Sequence, residues 1–244
     1  MTPTELVQQA CPKIGTLGAA FYFVPDTLAK GKEMDLDGFR FYFLGRGGVL
    51  GDVEPPVVEA AFGYFAPGLV EKIWTSAKAK ASPRAAATAY TECAHALGRA
   101  KLADMPGLDA YVEAAGAIND AAKADVASLS LYAAHAADPL ADDAPARAMQ
   151  LTALLREFRG SAHLSAHRVL GLSHQVGHAI KRPDDVKTFG YDPAPEVTDA
   201  DRALHADIEA ATDKMVLAAY SAVDVDGANA LVAGLDAMET ALAG

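Results

Sequence analysis

The chain has 244 residues, 51% of them hydrophobic, and a mean hydropathy of +0.10, which excludes a disordered polymer and leaves room for one or two globular domains. Its only cysteines, Cys11 and Cys93, are too few and too far apart for a disulfide framework or a zinc ribbon, so a reducing cytoplasm is the expected setting. The formal charge of −11 is uneven: residues 183–244 carry 3 basic and 13 acidic side chains, whereas residues 76–182 carry 12 and 10.

In chain order the sequence predicts helices almost throughout. Alanine, the strongest helix former, dominates residues 77–150 and 203–243, and runs of alternating β-branched residues are nearly absent. Short helices are expected over 4–10 and 13–23, the second ended by Pro25. Asp35 or Asp37 caps a helix near 37–44, and Gly45-Arg46-Gly47-Gly48 reads as the turn after it. Pro55 and Pro56 open a helix to about 66, and Pro67 opens another to about 80. Ser82-Pro83 opens 83–102, and Pro106 opens one long helix to about 136. Residues 138–145 form a loop, followed by a helix over 146–170. Gly171 and Ser173 have the character of a helix stop and a new N-cap, so a separate short helix is expected at 174–181. A proline-rich stretch over 183–197 precedes helices at 199–222 and 227–242. The expected fold is therefore all-α, a multi-helix bundle over 1–182 with an acidic, shortened helical region over 183–244 packed on it. The apolar run from Gly15 to Val24 falls short of the roughly 20 residues that cross a bilayer and lacks a small-residue cleavage site, so neither a membrane partner nor a signal peptide is expected.

Eleven of the 18 aromatic residues precede residue 75, including the triplets Phe21-Tyr22-Phe23 and Phe41-Tyr42-Phe43. Neighbours on a helix point about 100° apart, so three in a row cannot all face one core. The surplus must meet a second helix, a subunit or a ligand. A large core with a dimer contact is one reading. An aromatic pocket is the other, with Arg46 as polar anchor, Tyr42 and Tyr64 on its wall, and glycines 45, 47, 48 and 51 letting backbone approach a ligand.

Four of the seven histidines fall in 16 residues and form two HxxxH pairs, His163/His167 and His174/His178. A spacing of four puts both imidazoles of a pair on one helical face, where they can share a metal ion or approach a haem iron. They can equally be hydrogen-bonded histidines in an alanine-rich helix. Just upstream, Arg156-Glu157-Phe158-Arg159 follows an apolar run. A glutamate with flanking arginines either forms a structural ion pair or anchors an anionic ligand, and Glu157 with His163 could move a proton.

Three segments carry a family resemblance: Gly45-Arg46-Gly47-Gly48 through Glu59 to Pro67, Leu154 to Gly160 with His163, and Asp207-Ile208-Glu209-Ala210-Ala211-Thr212-Asp213. Their order and spacing resemble a sparsely characterised bacterial family of helical proteins labelled helix-turn-helix or winged-helix-like. The resemblance implies an N-terminal helical bundle followed by a winged-helix-like region, and no established reaction. Its matching charged positions are Arg46, Arg156, Glu157, Arg159 and His163. After Lys181 the chain departs from that pattern. The interval before Asp207 is about 25 residues, acidic and without a basic recognition helix, so the winged helix is expected to be degenerate.

The expected function is binding of a small molecule or cofactor, with enzymatic activity open. Arg46, Arg156, Arg159, Tyr42 and Tyr64 would bind the ligand, Glu157 and His163 would act in catalysis, and His163, His167, His174 and His178 would hold a metal ion or haem. A ligand-responsive transcription regulator and a non-catalytic dimeric interaction protein are the alternatives. A homodimer is expected. No nucleic-acid partner is expected, because phosphate contacts require a positive surface and the chain totals −11.

Overall fold

The computed structural model describes residues 1–244 as twelve α-helices without a strand. The helices are α1 (Pro3–Leu17), α2 (Pro25–Glu33), α3 (Gly38–Gly47), α4 (Pro55–Phe62), α5 (Pro67–Lys78), α6 (Pro83–Lys101), α7 (Leu108–Lys123), α8 (Ser130–Ala136), α9 (Ala144–Leu170), α10 (His174–Lys181), α11 (Asp199–Tyr220) and α12 (Val225–Ala243). The all-helical bundle expected from the sequence is present.

Local signals explain most boundaries. Thr2 and Glu5 cap α1 reciprocally, as Thr198 and Asp201 cap α11. Asp37, Ser82, Asp143, Ser173 and Asp224 each accept a backbone N–H at the start of a helix. Proline stands in the first turn of α1, α2, α4, α5, α6 and α9, where its missing N–H costs nothing. Gly171 takes the left-handed conformation (φ 84°) and ends α9, so the helix does break between the two HxxxH pairs.

Four elements differ from expectation. Pro12 lies inside α1 and does not break it, because Leu6, Val7, Ala10, Cys11, Ile14 and Leu17 form one buried stripe on both sides of the proline. Pro25 starts α2, and the helix expected to run to residue 23 stops at Leu17. Gly45, Arg46 and Gly47 belong to α3, not to a turn. The single helix expected from Pro106 to 136 is two, α7 and α8, separated where the helix-poor Asp125–Ser128 intervenes and Ser128 adopts a positive φ.

The centre of the bundle is α9, which packs against α6, α7, α11, α1 and α8. Helix α3 is a second interior helix, in contact with α6, α5, α2 and α4. Helices α11 and α12 close the other side against α1, α7 and α9, and Val216, Tyr220, Leu231, Leu235 and Met238 join the same 48-residue core as Leu6 and Trp74. A small separate cluster of Ala166, Leu172 and Ile208 seals the junction of α9, α10 and α11.

Because α3 is enclosed on all sides, every residue from Phe41 to Gly47 is buried. That resolves the aromatic triplets. Phe41, Tyr42 and Phe43 face different neighbours of one interior helix, and of the first triplet only Phe23 is exposed, at 47%. The rings pack on one another, for example Phe43 on Phe65 at 4.7 Å and Phe41 on Tyr90 at 5.2 Å between centroids. The aromatic front is thus internal, and its buried rings are not a surface for a second subunit. The glycines of α3 admit neighbouring elements rather than a ligand: a Cβ on Gly45 would lie 2.6 Å from the Tyr90 side chain, and one on Gly48 would meet the Pro83 carbonyl.

Candidate functional site

A cavity of about 520 Å³ lies between the aromatic front, the middle of α9 and the α10–α11 side of the bundle. Aromatic rings form much of its wall, among them Tyr22, Tyr42, Phe62, Phe65 and Phe189, and Arg46, Arg156, Arg159, His163 and Glu209 supply its polar groups. The size and the mixture of apolar wall with few convergent polar groups are those of a small-molecule pocket.

Two ion-pair clusters flank it. In the first, Glu157 is 4% exposed and accepts from Arg46 Nε (2.9 Å) and Nη2 (2.7 Å), from Arg156 Nη1 (2.8 Å) and from the Tyr22 hydroxyl (3.0 Å). Burial alone would raise the carboxyl pKa. The Arg46 and Arg156 guanidinium groups outweigh burial and hold it far below the usual range. Arg46 lies over the Phe62 ring at 4.5 Å and donates to the Tyr42 hydroxyl at 3.0 Å, and His135 Nε2–H donates to the Arg46 carbonyl at 3.0 Å. Two guanidinium groups against one carboxylate leave this wall with a net positive charge.

The second cluster is centred on Arg159, whose Nη2 donates to Glu209 Oε2 and Asp213 Oδ1, both at 2.8 Å. Glu209 Oε1 stays free of that bond and sits 3.9 Å from Nε2 of both His163 and His205. The imidazole nitrogens of His163, His167 and His205 lie within 4.8 Å of one another. Burial lowers the pKa of all three, His167 to about 4, so each ring is neutral near pH 7.

Tyr64 stands in the middle of the histidines, its ring 5.6–6.4 Å from those of His163, His167, His174 and His178. The cavity region also holds most of the molecule's unsatisfied polar atoms. Of the seven buried side-chain atoms without a hydrogen-bond partner, Tyr64 Oη, Arg159 Nε, His167 Nε2 and His178 Nε2 are here. Buried polar groups are normally paired, so a concentration of orphans around one cavity marks a place built for an occupant.

The sequence-predicted residues are thus partly assembled. Arg46, Arg156, Arg159, Tyr42, Tyr64, Glu157 and His163 all line the cavity. Glu157 and His163, however, bond into different clusters, and both Glu157 oxygens accept from guanidinium groups, an arrangement that holds charge in place rather than moving a proton. The four histidines of the two HxxxH pairs do not converge together. His174 Nε2–H donates to the Leu164 carbonyl at 3.3 Å, and the His178 ring packs on Phe189 at 3.9 Å between centroids. The third imidazole beside His163 and His167 is His205, on α11. No spacing in the sequence points to it; the Asp207–Asp213 segment that begins two residues beyond it supplies Glu209 and Asp213 to Arg159 and Thr212 to His163.

Fold and site together define an all-helical protein with a cationic, aromatic cavity at its centre. The chain belongs to the Helix-turn-helix family, which matches it over residues 7–182; the family resemblance is borne out, and the match covers the first two of the three segments but not Asp207–Asp213. No curated protein and no solved structure matches it. The match ends just before the acidic region, and with no strand in the fold the wing of a winged helix is absent.

Membership corrects one expectation. A helix-turn-helix is a DNA-docking motif, so the family points to nucleic acid as a partner where the total charge argued for none. The total was the wrong quantity. Residues 7–182 carry 18 basic and 18 acidic side chains and are neutral, and most of the acidic excess lies beyond the matched region. No helix is long and apolar enough to cross a membrane.

Proposed function

We propose that this chain is a ligand-responsive transcription regulator. Family membership is the observation that carries the DNA-binding half of the reading. The cavity, whose lining residues Tyr64, Arg159 and His178 each carry an orphaned buried polar atom, supports the sensing half. The ligand class follows from the wall: an aromatic or apolar body of small-molecule size with an anionic group directed at Arg46 and Arg156.

Helices α4 and α5 are the candidate helix-turn-helix. A four-residue connection, Gly63–Ala66, joins them, and both pack on α3, which makes a three-helix unit. Helix α5 buries Val70, Trp74 and Ala77 and turns Glu71, Lys72 and Thr75 outward. Lys78 and Lys80, at its end, are partnered by Asp52 and Asp35, which phosphate contacts would have to replace.

Selection of bound fragments from randomised duplex DNA by the full chain tests the first half. Enrichment of a defined sequence is expected, and recovery without enrichment at any salt concentration would refute DNA reading. A thermal-shift screen of aromatic carboxylates and phosphates tests the second half. Stabilisation that Arg156→Ala abolishes is expected, and equal stabilisation of both proteins would refute the assigned anchor.

A further inference from the structure

We propose that His163, His167 and His205 form a binding site for one divalent first-row transition-metal ion, with Glu209 beside it. The inference stands apart from DNA binding and would survive its failure.

The geometry is that of a prepared site. His163 and His167 are one turn apart on α9, and His205 enters from α11, so two helices fix the three rings. The tautomers of the two α9 histidines are set by their second nitrogens. Thr212 Oγ1 spends its only proton on the Ile208 carbonyl (2.7 Å), so at 2.7 Å from His163 Nδ1 it must accept, and His163 Nε2 is left as a bare acceptor. His167 Nδ1–H donates to the Leu172 carbonyl at 3.1 Å, which leaves His167 Nε2 bare as well. That atom is buried, has no partner, and belongs to a residue only 1% exposed. A carbonyl or hydroxyl behind a ligating imidazole is the outer-shell arrangement that orients metal-binding histidines.

Room has also been made for the rings. A Cβ on Gly177 would lie 2.2 Å from His167 Cε1 and 2.9 Å from its Nε2, so only glycine lets α10 lie along the Nε2 edge of this imidazole without filling the space beside that nitrogen. Three nitrogens within 4.8 Å need to close to roughly 3.3 Å for a tetrahedral ion with bonds of about 2.0–2.1 Å, a movement within reach of ring rotation. Imidazole donors with a nearby carboxylate suit zinc, iron, cobalt or nickel rather than calcium or magnesium. His163, His205 and Glu209 line the cavity whereas His167 lies behind it, so the open positions of the ion face the ligand space.

Chelator-treated full chain is titrated with Zn(II) against a chromophoric competitor. One equivalent is expected to bind. His205→Ala is expected to weaken binding at least ~100-fold, and Thr212→Val, which removes only the support of His163, about 10- to 100-fold. His174→Ala, outside the cluster, is expected to bind as the unsubstituted chain does. Loss of zinc binding in His174→Ala equal to that in His205→Ala, or no stoichiometric binding by the unsubstituted chain, would overturn the site. The imidazole ¹⁵N spectrum of the unsubstituted chain gives a reading that no folding defect can mimic. Zinc is expected to shift the Nε2 signals of His163, His167 and His205. Shifts confined to His174 and His178 would overturn the assignment.

Discussion

Glu157 shows how much a single buried charge depends on its neighbours. It is paired with Arg46, buried like itself, and with the partly buried Arg156. Removing one partner leaves an uncompensated charge, which typically costs about 3–5 kcal/mol. Glu157→Gln should therefore lower stability by that order in urea unfolding, and adding Arg46→Met to a Glu157→Leu chain should recover part of the loss. The same residues give the protein an acid-sensitive fold. Burial pushes His135 below its usual 6.5, so the folded chain keeps it neutral while the unfolded chain takes up a proton as pH falls through about 6.5. Glu157 is held below 4.5 against the opposing effect of burial, so its contribution is present above that pH and lost as pH falls below it. Both effects have the same sign. Unfolding free energies measured from pH 7.5 to 3 should fall in two stages, the first below about pH 6.5 and the second below about pH 4.5, each with a slope of up to ~1.4 kcal/mol per pH unit and per group. Stability that rises on acidification would contradict the assignment.

At the scale of elements, most helices were legible because their ends carry chemistry that acts locally. Asp37, Ser82, Ser173 and Thr198 cap helices where a short polar side chain precedes a helical run, and Gly171 stops α9. Replacing Gly171 by Ala forces a side chain into φ 84° and should cost about 1 kcal/mol or more, read as a lower unfolding midpoint. The misread elements are those that packing decides. Pro12 persists within α1 because the buried stripe continues through it, and Gly45-Arg46-Gly47 is helical because α3 is enclosed on all sides. The site shows the same division. The i, i+4 pair His163/His167 could be read from spacing, and so could the grouping of Arg156, Glu157 and Arg159. His205 could not, because it is 38 residues beyond His167 and meets it only once α11 folds back across α9. If α5 reads DNA, Lys72→Ala should weaken binding across all sequences and reduce the slope of log K against log salt by about one.

At the scale of the molecule, the acidic C-terminal helices are part of the architecture. Although the family match ends at residue 182, α11 and α12 place Val216, Tyr220, Leu231, Leu235 and Met238 in the common core and bring Glu209 and Asp213 to Arg159. A chain cut after residue 182 should expose that core and fail to unfold cooperatively, whereas independent, cooperative unfolding would show that the matched region is self-sufficient. The charge skew gains a meaning from this arrangement. Four of the tail's carboxylates, Glu209, Asp213, Asp236 and Glu239, pair with Arg159 and Lys13 across the fold, while the matched region is neutral by its own side chains and carries Lys72 on the outer side of α5. The central claim, that the chain reads DNA, is tested most directly by a competition titration. Labelled duplex carrying the selected sequence is bound at about 0.15 M salt and displaced by unlabelled selected or scrambled duplex. The account predicts that the selected duplex competes at a concentration at least ~10³-fold lower than the scrambled one. Equal competition by the two, or no binding of either, would contradict it.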